Sequence, residues 1–312
     1  KIFPFKGTLF NPAKIQDLGA VMTPPYDVIS PDAQERFYRR HPHNMIRLDF
    51  GKETPQDHSQ DNRYTRAAHS FRQWLSEGVL VEDSAPGYYF YRIQYRSPSG
   101  EEKVIRGFIA TTELEAFGSG SVIPHEYTLS GPKTDRLHLI RACEANFSLI
   151  FSMIPSGEIP VIRFLEEEIQ GKKPRIDVCD DDGVKHMIWS VTRPDLISKI
   201  QNAVEGRSIY IADGHHRYET SLNYRNERRA QAGAFTGQEP YNRVMMFFTE
   251  TTDRGLSILP THRLVFDIPD DQLRYFDGHV ADFFDQIPYP FTADHEPDVR
   301  GKMVKDLAEK GK

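Results

Sequence analysis

Apolar residues recur along the chain with two periods, and segments of the two kinds follow each other irregularly. Three- and four-residue spacing at Ala67, Phe71, Trp74 and Leu75 predicts a helix over 64–77, closed by Gly78. Ser30 as N-cap and Pro31 at the first helical position open another over about 31–40. Helical patterns also cover 136–145, 162–170, 194–204, 216–231 and 271–285, and the polar stretch 293–312 is helical after Pro297. Strand patterns cover 88–95 and 103–111, joined through the turn signal Ser97-Pro98-Ser99-Gly100. Others cover 147–154 and 243–249, with 175–178 and 184–191 flanking the turn Asp180-Asp181-Asp182-Gly183. Ser208 to Ala212 is a short buried strand that runs directly into the 216–231 helix.

Strands mixed with helices and hairpins predict an α/β fold of the mixed α+β kind, neither a βα barrel nor a helical bundle. Gly118-Ser119-Gly120-Ser121 interrupts the pattern. It divides an N-terminal α/β region with a β-hairpin, 1–117, from a second region, 118–312, unless the two form one domain. Pro24-Pro25 forces an extended entry into Tyr26-Asp27-Val28-Ile29, because a residue before proline avoids the helical region.

Composition narrows the function. The 312 residues hold 39 Lys+Arg against 45 Asp+Glu, a net charge of −6, which disfavours nonspecific duplex binding. No run reaches the roughly 18 apolar residues of a membrane span. Only Cys143 and Cys179 are present, which rules out a disulfide framework or a four-cysteine zinc site and fits a cytoplasmic location. Cys143, on its helix, reads as a small buried hydrophobe. Lys1-Ile2-Phe3-Pro4-Phe5 has neither an initiator Met nor a signal-peptide core, and the C-terminal stretch lacks a closing element. The expectation is a sequence that begins inside its gene product and continues past residue 312.

The strongest chemical feature is Ile209-Tyr210-Ile211-Ala212-Asp213-Gly214-His215-His216-Arg217, a strand entering a helix through Asp-Gly. Gly214 permits a tight turn, and the first amides of a helix point outward with partial positive charge. An anion there gains those donors, with His216 and Arg217 beside it. Asp213 reads either as the helix cap or as a carboxylate for acceptor chemistry. His215 or His216 reads alternatively as a metal ligand, but a third ligand must come from elsewhere, and no metal set is assigned. His125-Glu126, after Pro124, offers an imidazole and a carboxylate for acid/base work, or else a helix cap and a solvent-facing ring. Lys133, a few residues on, reads as an ordinary loop lysine or as a phosphate contact. Asp27, on a segment fixed by two prolines, reads as part of a packed corner or else as a carboxylate held against a metal–phosphate complex. His262-Arg263 offers a second cation or a strand-end pair, and Tyr218 offers a ring for base stacking.

Asp213-Gly214-His215-His216-Arg217 resembles the Gly-x-x-Arg elbow of the ParB/sulfiredoxin superfamily, whose members bind nucleotide phosphates there. The chain as a whole resembles domain-of-unknown-function family 1015, often labelled "SpoOJ/ParA/ParB/RepB family protein". It does so at Pro24-Pro25-Tyr26-Asp27-Val28-Ile29, Pro124-His125-Glu126-x-Thr128, the elbow, and Pro260-Thr261-His262-Arg263. The resemblance implies a ParB/sulfiredoxin-like core inside a larger mixed-sheet protein. It also implies nucleotide binding, with an ATP- or ADP-dependent small-molecule phosphotransferase or a nucleotide hydrolase as the activity, since one related enzyme phosphorylates a free amino acid. The implied cofactor is ATP or another nucleotide with Mg²⁺, and the partners are that nucleotide and a small-molecule substrate. Gly214, His215, His216, Arg217 and Arg263 would hold phosphate; Asp213, Glu126 and His125 would serve catalysis. His215 stands where sulfiredoxins carry their catalytic cysteine, which excludes sulfinic acid reduction. Two other readings are a ParB-like nucleic-acid-associated clamp or nuclease, and a non-catalytic nucleotide sensor. No basic recognition helix supports the first.

Overall fold

The computed structural model describes residues 1–98, 100–126, 130–157, 160–258 and 267–310. Among them the strands are β1 (Ile2–Phe3), β2 (Thr8–Phe10), β3 (Leu80–Glu82), β4 (Tyr88–Arg96), β5 (Glu102–Glu113), β6 (Val122–Ile123), β7 (Ile150–Ile154), β8 (Ile176–Cys179), β9 (Lys185–Val191), β10 (Ile209–Asp213) and β11 (Arg243–Glu250). The helices are α1 (Pro31–Arg40), α2 (Ile46–Asp49), α3 (Arg63–Ser76), α4 (Ser130–Cys143), α5 (Val161–Ile169), α6 (Pro194–Val204), α7 (His215–Ala232), α8 (Asp270–Ala281) and α9 (Glu296–Lys310). The expected mixed α+β architecture is observed.

Nine strands form one sheet in the order β6-β10-β7-β11-β5-β4-β9-β8, with β1 also pairing to β5. β10 runs parallel to β6 and β11 parallel to β7; the other pairings are antiparallel. Strands from both sides of residue 117 thus share this sheet. The period-two pattern explains its two faces. Tyr88 and Phe90 of β4 point into the main core with Phe108, Phe248, Leu165 of α5 and Ile200 of α6. Tyr89, Ile109 and Phe247 occupy the opposite face. Phe108 and Phe248 stack at 5.3 Å and 20°, both fully buried. Burying each such ring stabilises the fold by about 1.5–3 kcal/mol.

The cap predicted at Ser30 and the turn at Asp180–Gly183 appear as read, while Ser99 of the predicted Ser97–Gly100 turn lies outside the described residues. Ser30 Oγ accepts from the Ala33 amide at 3.2 Å, and Pro31 starts α1. β1, β2, β3, β6 and α2 escape the sequence pattern. Each is two to four residues long, too short to show a period, and each strand among them is held by distant partners. α4 starts at Ser130, six residues ahead of the periodic segment, and β7 is trimmed to begin at Ile150.

α3, α4 and α7 pack in succession. Arg141 of α4 grips Glu227 of α7 with two N–H···O bonds of 2.9 and 2.5 Å. Residues Lys1–Leu256 form one unit and Ser257–Lys312 a second. In the second, Tyr289 donates to Asp306 of α9 at 2.8 Å, while Leu273, Tyr275, Phe283 and Phe284 are exposed. None of the described helices is long and apolar enough to cross a membrane.

Cys143 seats α4 against Ala67 and Ala68 of α3, and burial pushes its thiol up to about 12. Cys179 is exposed. A disulfide reagent at pH 8 is therefore expected to modify Cys179 rapidly in the native chain and Cys143 only after denaturation. Rapid reaction of both thiols would mean that α4 does not sit on α3 as described.

Candidate functional site

β10 lies between β6 and β7, and its buried Ile209 and Ile211 anchor it in the main core. The strand ends at Asp213, and α7 begins at His215, so the whole reversal falls on Gly214. That residue has φ +98° and ψ 28°, in the left-handed region. A side chain is strained there. An added Cβ would also stand 3.1 Å from the Arg217 guanidinium. Gly214, not Asp213, is the N-cap, so no capping side chain accepts from the first turn of α7. The first intrahelical bond runs from the Tyr218 amide to the Gly214 carbonyl at 3.0 Å. The three amides before it carry the positive end of an 18-residue helix.

Asp213 and Arg217 form an ion pair across this turn. The other terminal nitrogen of Arg217 donates to the Leu149 carbonyl, next to β7. Arg217 therefore braces the elbow rather than standing as an open fork. Tyr218 is fully buried; its hydroxyl accepts from the Glu115 amide at 2.9 Å and donates to the Glu115 carbonyl at 2.8 Å. Its ring stacks on Phe117 at 5.0 Å and 17°. The expected role in base stacking is thereby corrected: both faces of that opportunity are spent inside the core.

The parallel pairing of β6 to β10, with Ile123 opposite Tyr210, explains why Pro124, His125 and Glu126 arrive at the start of α7. His125 Nδ1 lies 2.8 Å from the Ile211 carbonyl. A carbonyl only accepts, so Nδ1 carries the proton and the neutral ring keeps its lone pair on Nε2. The His125 amide donates to His215 Nε2 at 3.2 Å, which puts the proton of neutral His215 on Nδ1. That Nδ1 is 3.0 Å from Glu126 Oε1. The approach is too poorly aligned for a hydrogen bond, and the atom is buried without another partner. The two rings meet edge to face at 4.5 Å. Burial holds the His215 pKa below the ordinary histidine value, against the upward pull of Glu126 and with a further lowering from His125.

His125, Glu126 and His215 each bring one donor atom to within 4.8 Å of the others. His215 is 1% exposed, whereas His125 and Glu126 are exposed. His216, half-buried, is not in this cluster. Arg263 and Thr128 lie outside the described residues, and so does the side chain of Lys133.

The Tyr26-Asp27-Val28 turn reaches the same neighbourhood by another route. Arg136 stacks over the Tyr26 ring at 3.9 Å and pairs with Asp49 at 2.9 Å and Asp135 at 2.6 Å. Burial raises the Tyr26 pKa, opposed by the Arg136 cation; Asp27 raises it further and Arg217 lowers it. Asp49 also accepts from Ser148 at 3.0 Å, and Asp135 from Arg63 at 2.6 Å. A small cavity of about 50 Å³ lies among Asp49, Arg136, Arg217 and Thr220, with Leu139, Ile140 and Phe147 also lining it. Asp27 itself is exposed on its turn. Sequence reading passed over Asp49 and Arg136. The available signal was Asp135-Arg136 set into a helix whose neighbours Leu139 and Ile140 are buried.

The fold and this polar elbow define a mixed α+β protein with a concentrated imidazole–carboxylate site. The chain belongs to the family described as "Protein of unknown function (DUF1015)", whose model matches residues 2–308. No curated protein and no solved structure matches it significantly.

Gly214→Ala is expected to lower stability by about 1–3 kcal/mol, the usual cost of a side chain forced into a sparsely populated backbone region. Urea denaturation measures this. An unchanged midpoint would mean that the elbow does not need its left-handed residue.

Proposed function

We propose that this protein binds the phosphates of a nucleotide at the start of α7 and uses them for phosphoryl transfer to a small molecule or to water. The carrying observation is the elbow: a long helix opening on a glycine with no capping side chain, ringed by imidazoles. Such an opening offers outward amides and positive potential to an anion. The Gly-x-x-Arg spacing of Gly214 and Arg217, with its likeness to the ParB/sulfiredoxin superfamily, supports the same reading.

In this reading the residues divide the work. The α7 amides and His216 meet the phosphate, whereas the buried His215, with Nε2 on the His125 amide and Nδ1 against Glu126, holds the elbow as a positioning residue. Arg217 contributes charge while holding Asp213, which makes both of them positioning residues. Glu126 and His125 Nε2 are the nearby lone pairs suited to take a proton from an acceptor hydroxyl or water. The oxygen then attacks the terminal phosphorus as the bond to the leaving diphosphate breaks. Mg²⁺, brought with the nucleotide, would neutralise the phosphates. Arg263 remains a proposed second cation.

The clamp or nuclease reading is weaker. A groove of about 610 Å³ beside α3 is lined by Arg47, Lys52, Arg63, Arg66 and Arg72. Arg63 pairs with Asp135, Arg66 with Asp57 and Asp61, and Lys52 with Glu35. Carboxylates of the chain already neutralise most of its charge, which leaves little for a nucleic acid backbone.

A nucleotide at a hundredfold excess over its Kd stabilises the native state by about 2.7 kcal/mol. Thermal melts with ATP, ADP, GTP and CTP, with and without Mg²⁺, are expected to show a rise of several degrees for at least one. His216→Ala is expected to diminish it. Phosphate release or transfer from that nucleotide separates an enzyme from a sensor. If no nucleotide moves the melting temperature, the reading fails.

A further inference from the structure

We propose that His125, Glu126 and His215 form a binding site for a divalent transition-metal ion of the zinc class. The site shares His125, Glu126 and His215 with the nucleotide reading, but its affinity for a metal is tested without nucleotide, since its three donors come from the protein alone.

Four observations carry it. First, the three donor atoms converge within 4.8 Å, and His215 Nδ1 and Glu126 Oε1 are 3.0 Å apart. With metal bonds near 2.05 Å, donors in a tetrahedral site sit about 3.3 Å from one another. One pair thus already has ligand spacing, and the exposed Glu126 side chain can adjust to close the rest. Second, His215 is 1% exposed, and its Nδ1 has no hydrogen-bond partner although it faces a carboxylate. A buried polar atom left unsatisfied costs about 1–3 kcal/mol. A cation between Nδ1 and Oε1 would satisfy both. Third, His125 ties its Nδ1–H to the Ile211 carbonyl at 2.8 Å. Metal-bound imidazoles are oriented in this manner, the second ring nitrogen donating to a backbone carbonyl while the first holds the ion. Nε2 is then the ligand atom. Fourth, two imidazoles and one carboxylate suit zinc, cobalt or iron; Mg²⁺ and Ca²⁺ prefer oxygen alone.

Binding has a definite cost in the structure. A metal on His215 Nδ1 moves the ring proton to Nε2, and the 3.2 Å bond from the His125 amide is given up. Two N–H groups would then face each other at 3.2 Å, so the His125 backbone has to shift for the ion to bind. Three protein ligands leave a fourth position for water or substrate, as in catalytic zinc sites. Were His125, Glu126 and His215 to hold such an ion, His125 Nε2 would be a ligand and no longer a free lone pair, and hydroxide from a metal-bound water would be the proton acceptor.

The test uses the full chain, freed of metal by a chelator, with Zn²⁺ and Co²⁺ alone and no nucleotide. Calorimetry is expected to show one equivalent of Zn²⁺ bound, and Co²⁺ is expected to give the visible ligand-field bands of a low-coordinate ion with nitrogen ligands. His125→Ala and Glu126→Gln are expected to weaken Zn²⁺ binding at least tenfold. Both positions are exposed, and melting curves confirm that each variant folds. His69→Ala, an exposed histidine elsewhere on α3, is expected to bind as the parent does. Absence of one-to-one binding, or equal affinity in His125→Ala and Glu126→Gln, would overturn the proposal and leave the cluster as a brace between an imidazole and a carboxylate. Neither result bears on nucleotide binding, which the melts in the preceding section decide separately.

Discussion

The turn at Gly214 is the constraint on which the rest of the site depends. β10 is pinned in the sheet by Ile209 and Ile211, and α7 is pinned by the buried Tyr218 one turn after it starts. Between them a single residue reverses the chain at φ +98°. The Asp213–Arg217 ion pair and the bond from Arg217 to Leu149 close the reversal from outside. Strand end and helix start therefore cannot drift apart. Any ligand that meets the α7 amides meets groups fixed by the sheet, and a preorganised site loses little entropy on binding.

The second structural theme is charge taken into the protein and answered there. Arg136 is 8% exposed yet touches two carboxylates and an aromatic face. Desolvating such ions costs several kcal/mol each, and the pairing repays it only where geometry is good. The network joins the turn at Tyr26, α2 through Asp49, α4 through Arg136 and the approach to β7 through Ser148. Such a network is weak evidence for added stability. It holds the α4 side of the elbow in one place, while β6 delivers His125 and Glu126 from the other.

Local chemistry made much of this legible before any coordinates. Helices α1, α3 and α6 carry their boundaries in caps and prolines, and the β4–β5 hairpin carries its own in alternation and a turn. The Asp213-Gly214 reversal was visible because only glycine answers its backbone demand. By contrast, β6 is two residues long and pairs with a strand more than eighty residues away, so no local period announces it. Local pattern therefore could not bring His125 and Glu126 to His215, and only the family resemblance put them in one site. Those residues stood out in the chain as two separate motifs. In sequence Arg217 reads as a phosphate contact, since nothing in its neighbourhood reveals that Leu149 occupies one of its nitrogens.

Sequence alone determined the types of the longer elements, the mixed α+β class and the strand-to-helix elbow, because propensity, capping and period act over a few neighbouring residues. The tertiary structure alone decided which imidazole is buried, which nitrogen bears its proton, and which carboxylate faces it. Those are properties of contacts between segments about ninety residues apart. Only strand pairing across the sheet, with the burial that accompanies it, brings such contacts into being.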